Sequence, residues 1–202
     1  MRSIRPIGVI AGIALCAVIA LYSMRYLLGS QGPEFIMANL FRTPWLVIHV
    51  AGTTLALLVG SLQFLRRIRR ERPVVHRWVG RIYVAGCTIG GVAGLILAMG
   101  ASSGPIATAG FGLLAIAWIA TTSFAWRAAV QGRFAEHRAW MIRSFALTCA
   151  AVTLRLYLLI LFGLPIPFVQ GYRAISFLCW VPNLIVAEYY LRRPIRGLLT
   201  TI

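Results

Sequence analysis

Hydrophobic and polar positions alternate along this chain in long blocks rather than in short periods. Six stretches carry almost no charge: about 7–28, 45–65, 78–99, 106–126, 140–162 and 174–191. Each has the roughly 18–25 apolar residues that a helix needs to cross a hydrocarbon core about 30 Å thick. The breaks hold turn formers and charge, in "GSQGPE", "RRIRRERP", "GASSGP", "QGRFAEH", "GLPIP" and "RRPIRG". The pattern predicts an all-α, polytopic six-helix membrane bundle, with residues 1–202 forming one membrane domain. The first stretch is longer than a signal-peptide core and lacks a clear small-x-small cleavage site, so a retained helix is expected.

Helical phase at about 100° per residue shows where the polar residues of these blocks point. In the second span His49, Thr53, Ala56, Gly60 and Gln63 share a stripe about 80° wide. His76, Gly80, Tyr83, Cys87, Gly90 and Gly94 do the same in the third. In the fifth, His137, Met141, Ser144, Thr148 and Arg155 fall within about 60°. Polar groups in a bilayer face the bundle interior, so each histidine opens an inward stripe. Gly86, Gly90 and Gly94 recur at four-residue spacing, which permits close helix packing or leaves room beside the backbone for a flat cofactor.

Composition agrees with the pattern. Hydrophobic residues make up 60% of the chain and mean hydropathy is +0.83, against about 45–50% apolar in soluble domains. The net charge of +16 comes from twenty arginines, with no lysine or aspartate and only Glu34, Glu71, Glu136 and Glu188 as acids. This charge lies between membrane-length runs, which argues against nucleic acid as a partner. It sets orientation instead. With the N-terminus inside, sixteen arginines are cytoplasmic: Arg2, Arg5, the seven from Arg66 to Arg81, Arg127, Arg133, Arg138, Arg143, Arg192, Arg193 and Arg196. Arg25, Arg42 and Arg173 fall outside. Both termini are therefore expected in the cytoplasm of a bacterial inner-membrane, multi-pass protein. The basic loops suit anionic headgroups of the inner leaflet. Cys16, Cys87, Cys149 and Cys179 lie far apart in apolar runs and read as small hydrophobes.

Depth then sorts the polar residues into two layers. His76, His137, Gln63, Glu188 and several arginines belong to the inner end. His49 belongs to the outer end, joined by Arg155, about 22–27 Å along its span, and Met99 as a further candidate; Asn183, beside Pro182, lies nearer the middle. Two imidazoles from facing helices are a common way to hold b-type haem in a bundle. His76 and His137 meet that requirement as candidate iron ligands, with Arg77, Arg81, Arg138 and Arg143 as candidate propionate contacts. His49 is a candidate outer ligand. A structural or proton-linked role for the pair stays open. One haem site is favoured over two. Such a protein would pass electrons between a quinol or a redox protein and an acceptor. A scaffold or accessory subunit of a larger membrane complex is the alternative. A small transporter is a third reading, suggested by Arg155, Asn183 and Glu188; structural bonding to carbonyls is the preferred role for Arg155. The chain has no HExxH and no nucleophile beside a His/acid pair, so no hydrolytic site is expected.

The layout of histidines on spans two, three and five resembles that of six-helix cytochrome b561. That resemblance implies haems held between spans two and four and between spans three and five. Here span four, "GFGLLAIAWIATTSFAW", has no histidine. The stretches "IHVAGTTLALLVGSLQF", "HRWVGRIYV", "HRAWMIRSFALTCAAVTLRLYL" and "WVPNLIVAEYYLRR" are similar to an uncharacterised bacterial family of predicted membrane proteins, domain-of-unknown-function family twenty-three-oh-six. It implies a fold for spans two to six but no reaction.

Overall fold

The computed structural model describes residues 6–29 and 33–192, and all of its regular structure is helical. The helices are α1 (Pro6–Ser23), α2 (Glu34–Met37), α3 (Arg42–Leu62), α4 (Arg66–Glu71), α5 (Pro73–Met99), α6 (Pro105–Val130), α7 (Phe134–Thr148), α8 (Ala150–Phe162), α9 (Phe168–Leu178) and α10 (Val181–Arg192). Five helical stretches are long and apolar enough to cross a membrane: Arg42–Leu62, Pro73–Met99, Pro105–Val130, Phe134–Phe162 and Phe168–Arg192.

The first expected span differs. It is not among these five: α1 runs Pro6–Ser23 and continues into a 3-10 turn at Met24–Tyr26, and its apolar stretch Ile10–Tyr26 is shorter than the others. There the Ser23 hydroxyl turns back to the Ile19 carbonyl at 2.7 Å, and Gly29 takes a positive φ of 81° to redirect the chain. Arg2, Arg5, Arg193 and Arg196 lie outside the described residues.

The other spans begin earlier than hydropathy predicts. α5 starts at Pro73, which suits the first helical turn because its missing N–H has no partner to lose there. α7 starts at Phe134. Both extensions carry the histidines His76 and His137 into regular helix. The turn between α6 and α7 is a Schellman motif. Arg133 N–H donates to Ala128 O at 2.9 Å and Gly132 N–H to Ala129 O at 3.1 Å, with Gly132 at φ 72°.

Spans five and six are each broken. The break at Cys149 separates α7 from α8, and the one before Val181 separates α9 from α10. Pro182 removes an N–H from the second. Asn183 bridges the breaks: its Nδ2 donates to Ala146 O at 3.2 Å, Thr153 Oγ1 at 3.1 Å and Cys179 O at 3.1 Å. Thr153 also donates to Cys179 O.

Around the bundle the order is α3, α5, α6, α7, and α7 closes back on α3. α5 and α7 thus stand across the diagonal. α1 packs on α3 and α8, and α9 on α6 and α8. The core is made of small groups around Tyr83, with Ala56, Cys87, Trp118 and Leu147. Large side chains such as Leu159, 70% exposed, face outward, the distribution that lipid allows. α3 and α5 meet backbone to backbone: a Cβ on Gly52 would lie 2.6 Å from Gly90 N. Gly86 and Gly90 are therefore covered by α3, and the His49 ring covers Gly94. The glycine face serves helix packing and leaves no slot for a flat group. The four cysteines are free thiols, three of them buried.

Candidate functional site

The end of the bundle that carries His76 and His137, expected to be the inner one, rests on a buried hydroxyl network that fixes helix register. Tyr83 on α5 is fully buried, and its OH lies 2.8 Å from both Ser144 Oγ and Thr148 Oγ1 on α7. Trp118 Nε1 on α6 donates to Thr148 Oγ1 at 2.9 Å. Thr122 Oγ1 meets Ser144 Oγ at 2.7 Å. In a low-dielectric interior such a satisfied network specifies one packing of the three helices.

That register places the histidines. α5 and α7 run parallel, His76 is seven residues before Tyr83, and His137 is seven residues before Ser144. Seven residues are about two turns, so both imidazoles stand about 10 Å above the network on the faces that carry Tyr83 and Ser144. His137 lies near enough to act electrostatically on His76. His137 Nδ1 lies 2.9 Å from Ala125 O on α6. A carbonyl can only accept, so Nδ1 carries the proton and Nε2 keeps the lone pair. His76 Nδ1 is buried and has no partner.

Gln63 joins this layer from the end of α3. Its Nε2 donates to His76 O at 3.2 Å, while its buried Oε1 has no partner. Glu188 on α10 is held by Arg143, with contacts of 2.5 and 3.2 Å, and Arg192 lies 3.7 Å away. Arg143 also sits over the Trp140 ring. Its guanidinium is thus already engaged by a carboxylate; Arg77 and Arg81 are exposed, with Arg81 over Trp78 at 4.8 Å. Arg138 makes only a long 3.4 Å contact with Tyr190.

The outer layer is assembled differently. His49 Nδ1 lies 2.8 Å from Gly90 O, with its ring against Gly94. Arg155 is near enough to influence it electrostatically. Arg155 donates to Ala151 O at 2.7 Å and to Ser23 Oγ at 2.6 Å, tying α8 to α1. The bond to the Ala151 carbonyl is of the kind expected for Arg155. Met99 is 58% exposed and turns out of the bundle, so it offers no second ligand opposite His49. Loops at the His49 end are pinned by Asn39 Nδ2 to Leu97 O at 2.8 Å and Arg173 Nε to Ser103 O at 2.8 Å.

Sequence phase missed two members of the central network, Trp118 and Thr122. Their one-turn spacing on α6 was the available signal, but an evenly apolar helix hides its inward face. Among the described residues no group of three or more His, Cys, Asp or Glu side chains is placed to hold a metal ion directly.

Residues 46–191, more than half of the chain, match the family model described as "Predicted membrane protein (DUF2306)". No curated protein and no solved structure matches the chain.

Proposed function

The chain belongs to the DUF2306 family of predicted membrane proteins, and from that premise we propose that it is a haem-b electron-transfer protein of the bacterial cytoplasmic membrane. In this reading it has six spans with both termini inside, and His76 and His137 hold one haem at the inner end. The observation that carries it is the matched register: two inward histidines, each seven residues from the Tyr83–Ser144 bond, on diagonal helices. The donor set fits the group. His137 has the tautomer of an Nε2 ligand, oriented by a backbone carbonyl as ligating imidazoles usually are. Among the described residues Arg77, Arg81 and Arg138 form no salt bridge, whereas Arg143 is engaged by Glu188.

A haem would supply one-electron chemistry at this end. The protein's own part is to hold both imidazoles in register and to surround them with helix. Its partners would be a quinol or a redox protein, with anionic lipids around the arginine-rich loops. The absence of a ligand residue on α6 and the outward turn of Met99 support one haem rather than two.

An absorption spectrum of protein purified after expression with haem supplied tests the reading. A Soret band that disappears in His76→Ala and in His137→Ala is expected. A colourless protein that co-purifies with a stable partner would favour the accessory-subunit alternative.

A further inference from the structure

Two buried polar atoms at the inner end have no partner: Gln63 Oε1 and His76 Nδ1. Gln63 is only 9% exposed. Leaving such an atom unpaired is costly, so two in one place point to a bound group. They are neighbours, because the amide that carries Oε1 is anchored by its Nε2 on the His76 carbonyl. Beside them Gly80, one turn along α5 from His76, leaves room for a small side chain. A Cβ there would meet only Gln63 Nε2, at 3.7 Å.

The chemistry of the niche is specific. Gln63 Oε1 can only accept a hydrogen bond, and His76 Nδ1 can donate one. A single hydroxyl has the donor that the amide oxygen needs and the acceptor that the ring N–H needs. Next to Gln63, Phe64 packs on Phe145 with ring centroids 4.8 Å apart, giving the niche an aromatic border. It lies where α3 ends, at the lipid boundary of the expected inner leaflet. We infer that Gln63 Oε1, His76 and the room beside Gly80 form a binding site for the phenolic hydroxyl of a lipid-soluble hydroquinone. The oxidised quinone presents a carbonyl, which can accept from His76 but leaves Gln63 Oε1 unpaired. The site therefore prefers the reduced form. Its use as an electron-donor site rests on the haem reading; the binding itself does not.

The test is thermal unfolding of the full chain in mild detergent, followed by circular dichroism under anaerobic conditions, with decylubiquinol as probe. Decylubiquinol should raise the unfolding midpoint and bind about tenfold more tightly than decylubiquinone, the equivalent of one hydrogen bond. Gln63→Leu should lose the shift. If that variant fails to fold, Gly80→Val, which fills the niche from the other side, should lose it too. No shift in the native chain means that the two atoms hold water only, and overturns the inference. So does an equal shift with decanol, or an unchanged shift in Gln63→Leu or Gly80→Val. A Soret band recorded on the same samples reads the haem proposal separately: a Gln63-dependent shift in colourless protein keeps this site and removes the haem.

Discussion

The two ends of the bundle hold similar residues and treat them differently. At the outer end His49 is bonded to Gly90 O and Arg155 to Ala151 O and Ser23. These groups join helices to one another, and their main hydrogen-bonding capacity is satisfied within the chain. At the inner end His76 Nδ1 and Gln63 Oε1 are buried without partners, and His137 is braced so that its second nitrogen keeps a lone pair. A buried polar group that the protein itself does not satisfy marks a place where something else binds. Arg25 Nε and Thr54 Oγ1 are also buried without partners, so what sets the His76–His137 end apart is that two such atoms, Gln63 Oε1 and His76 Nδ1, belong to residues joined by a hydrogen bond.

The sharpest way to break the comparison is to exchange the histidines' fates. His76→Ala and His137→Ala should each abolish haem absorbance, while His49→Ala should keep it and lower thermal stability by about 1–2 kcal/mol. A Soret band lost in His49→Ala and kept in His137→Ala would reverse the assignment. Next in size is the contact that seats His49. Gly52→Ala forces a methyl against the Gly90 backbone, and a loss of about 1–3 kcal/mol is expected, measured by thermal unfolding in detergent. Tyr83→Phe removes the shared hydroxyl beneath the inner site. A cost of about 1–2 kcal/mol should come with broadening of the Soret band as the register of α5 and α7 loosens. Glu188→Gln releases Arg143 from a partly exposed ion pair. It should change stability by less than about 1 kcal/mol. Met99→Leu should alter neither spectrum nor stability, since the side chain turns out of the bundle.

Much of the bundle was legible in the block pattern. The five longer spans follow from hydropathy because a helix in lipid must satisfy its own backbone, so length and apolarity decide the matter locally. Helical phase turned His49, His76, His137, Tyr83 and Ser144 inward for the same reason. Boundaries were less legible. Charged and aromatic residues such as Arg77, Trp78, Glu136 and Arg138 interrupt the apolar signal at the inner ends, yet α5 and α7 continue through them. The breaks at Cys149 and before Val181 were invisible except at Pro182, because Asn183 and Thr153 stabilise them through contacts between distant segments.

The sequence by itself determined that this is a helical membrane protein, which residues face inward and that two histidines share a depth. Those properties depend on solvent preference and on the 3.6-residue turn, both local. Only the tertiary structure decided which polar groups are partnered. Burial of Gln63 Oε1, the carbonyl under His137, the Glu188 contact that engages Arg143 and the closure of the glycine face by α3 all depend on atoms from different helices, 12 to 45 residues apart along the chain. Hydrogen bonds are short and directional, so their partners emerge only when helices are set side by side.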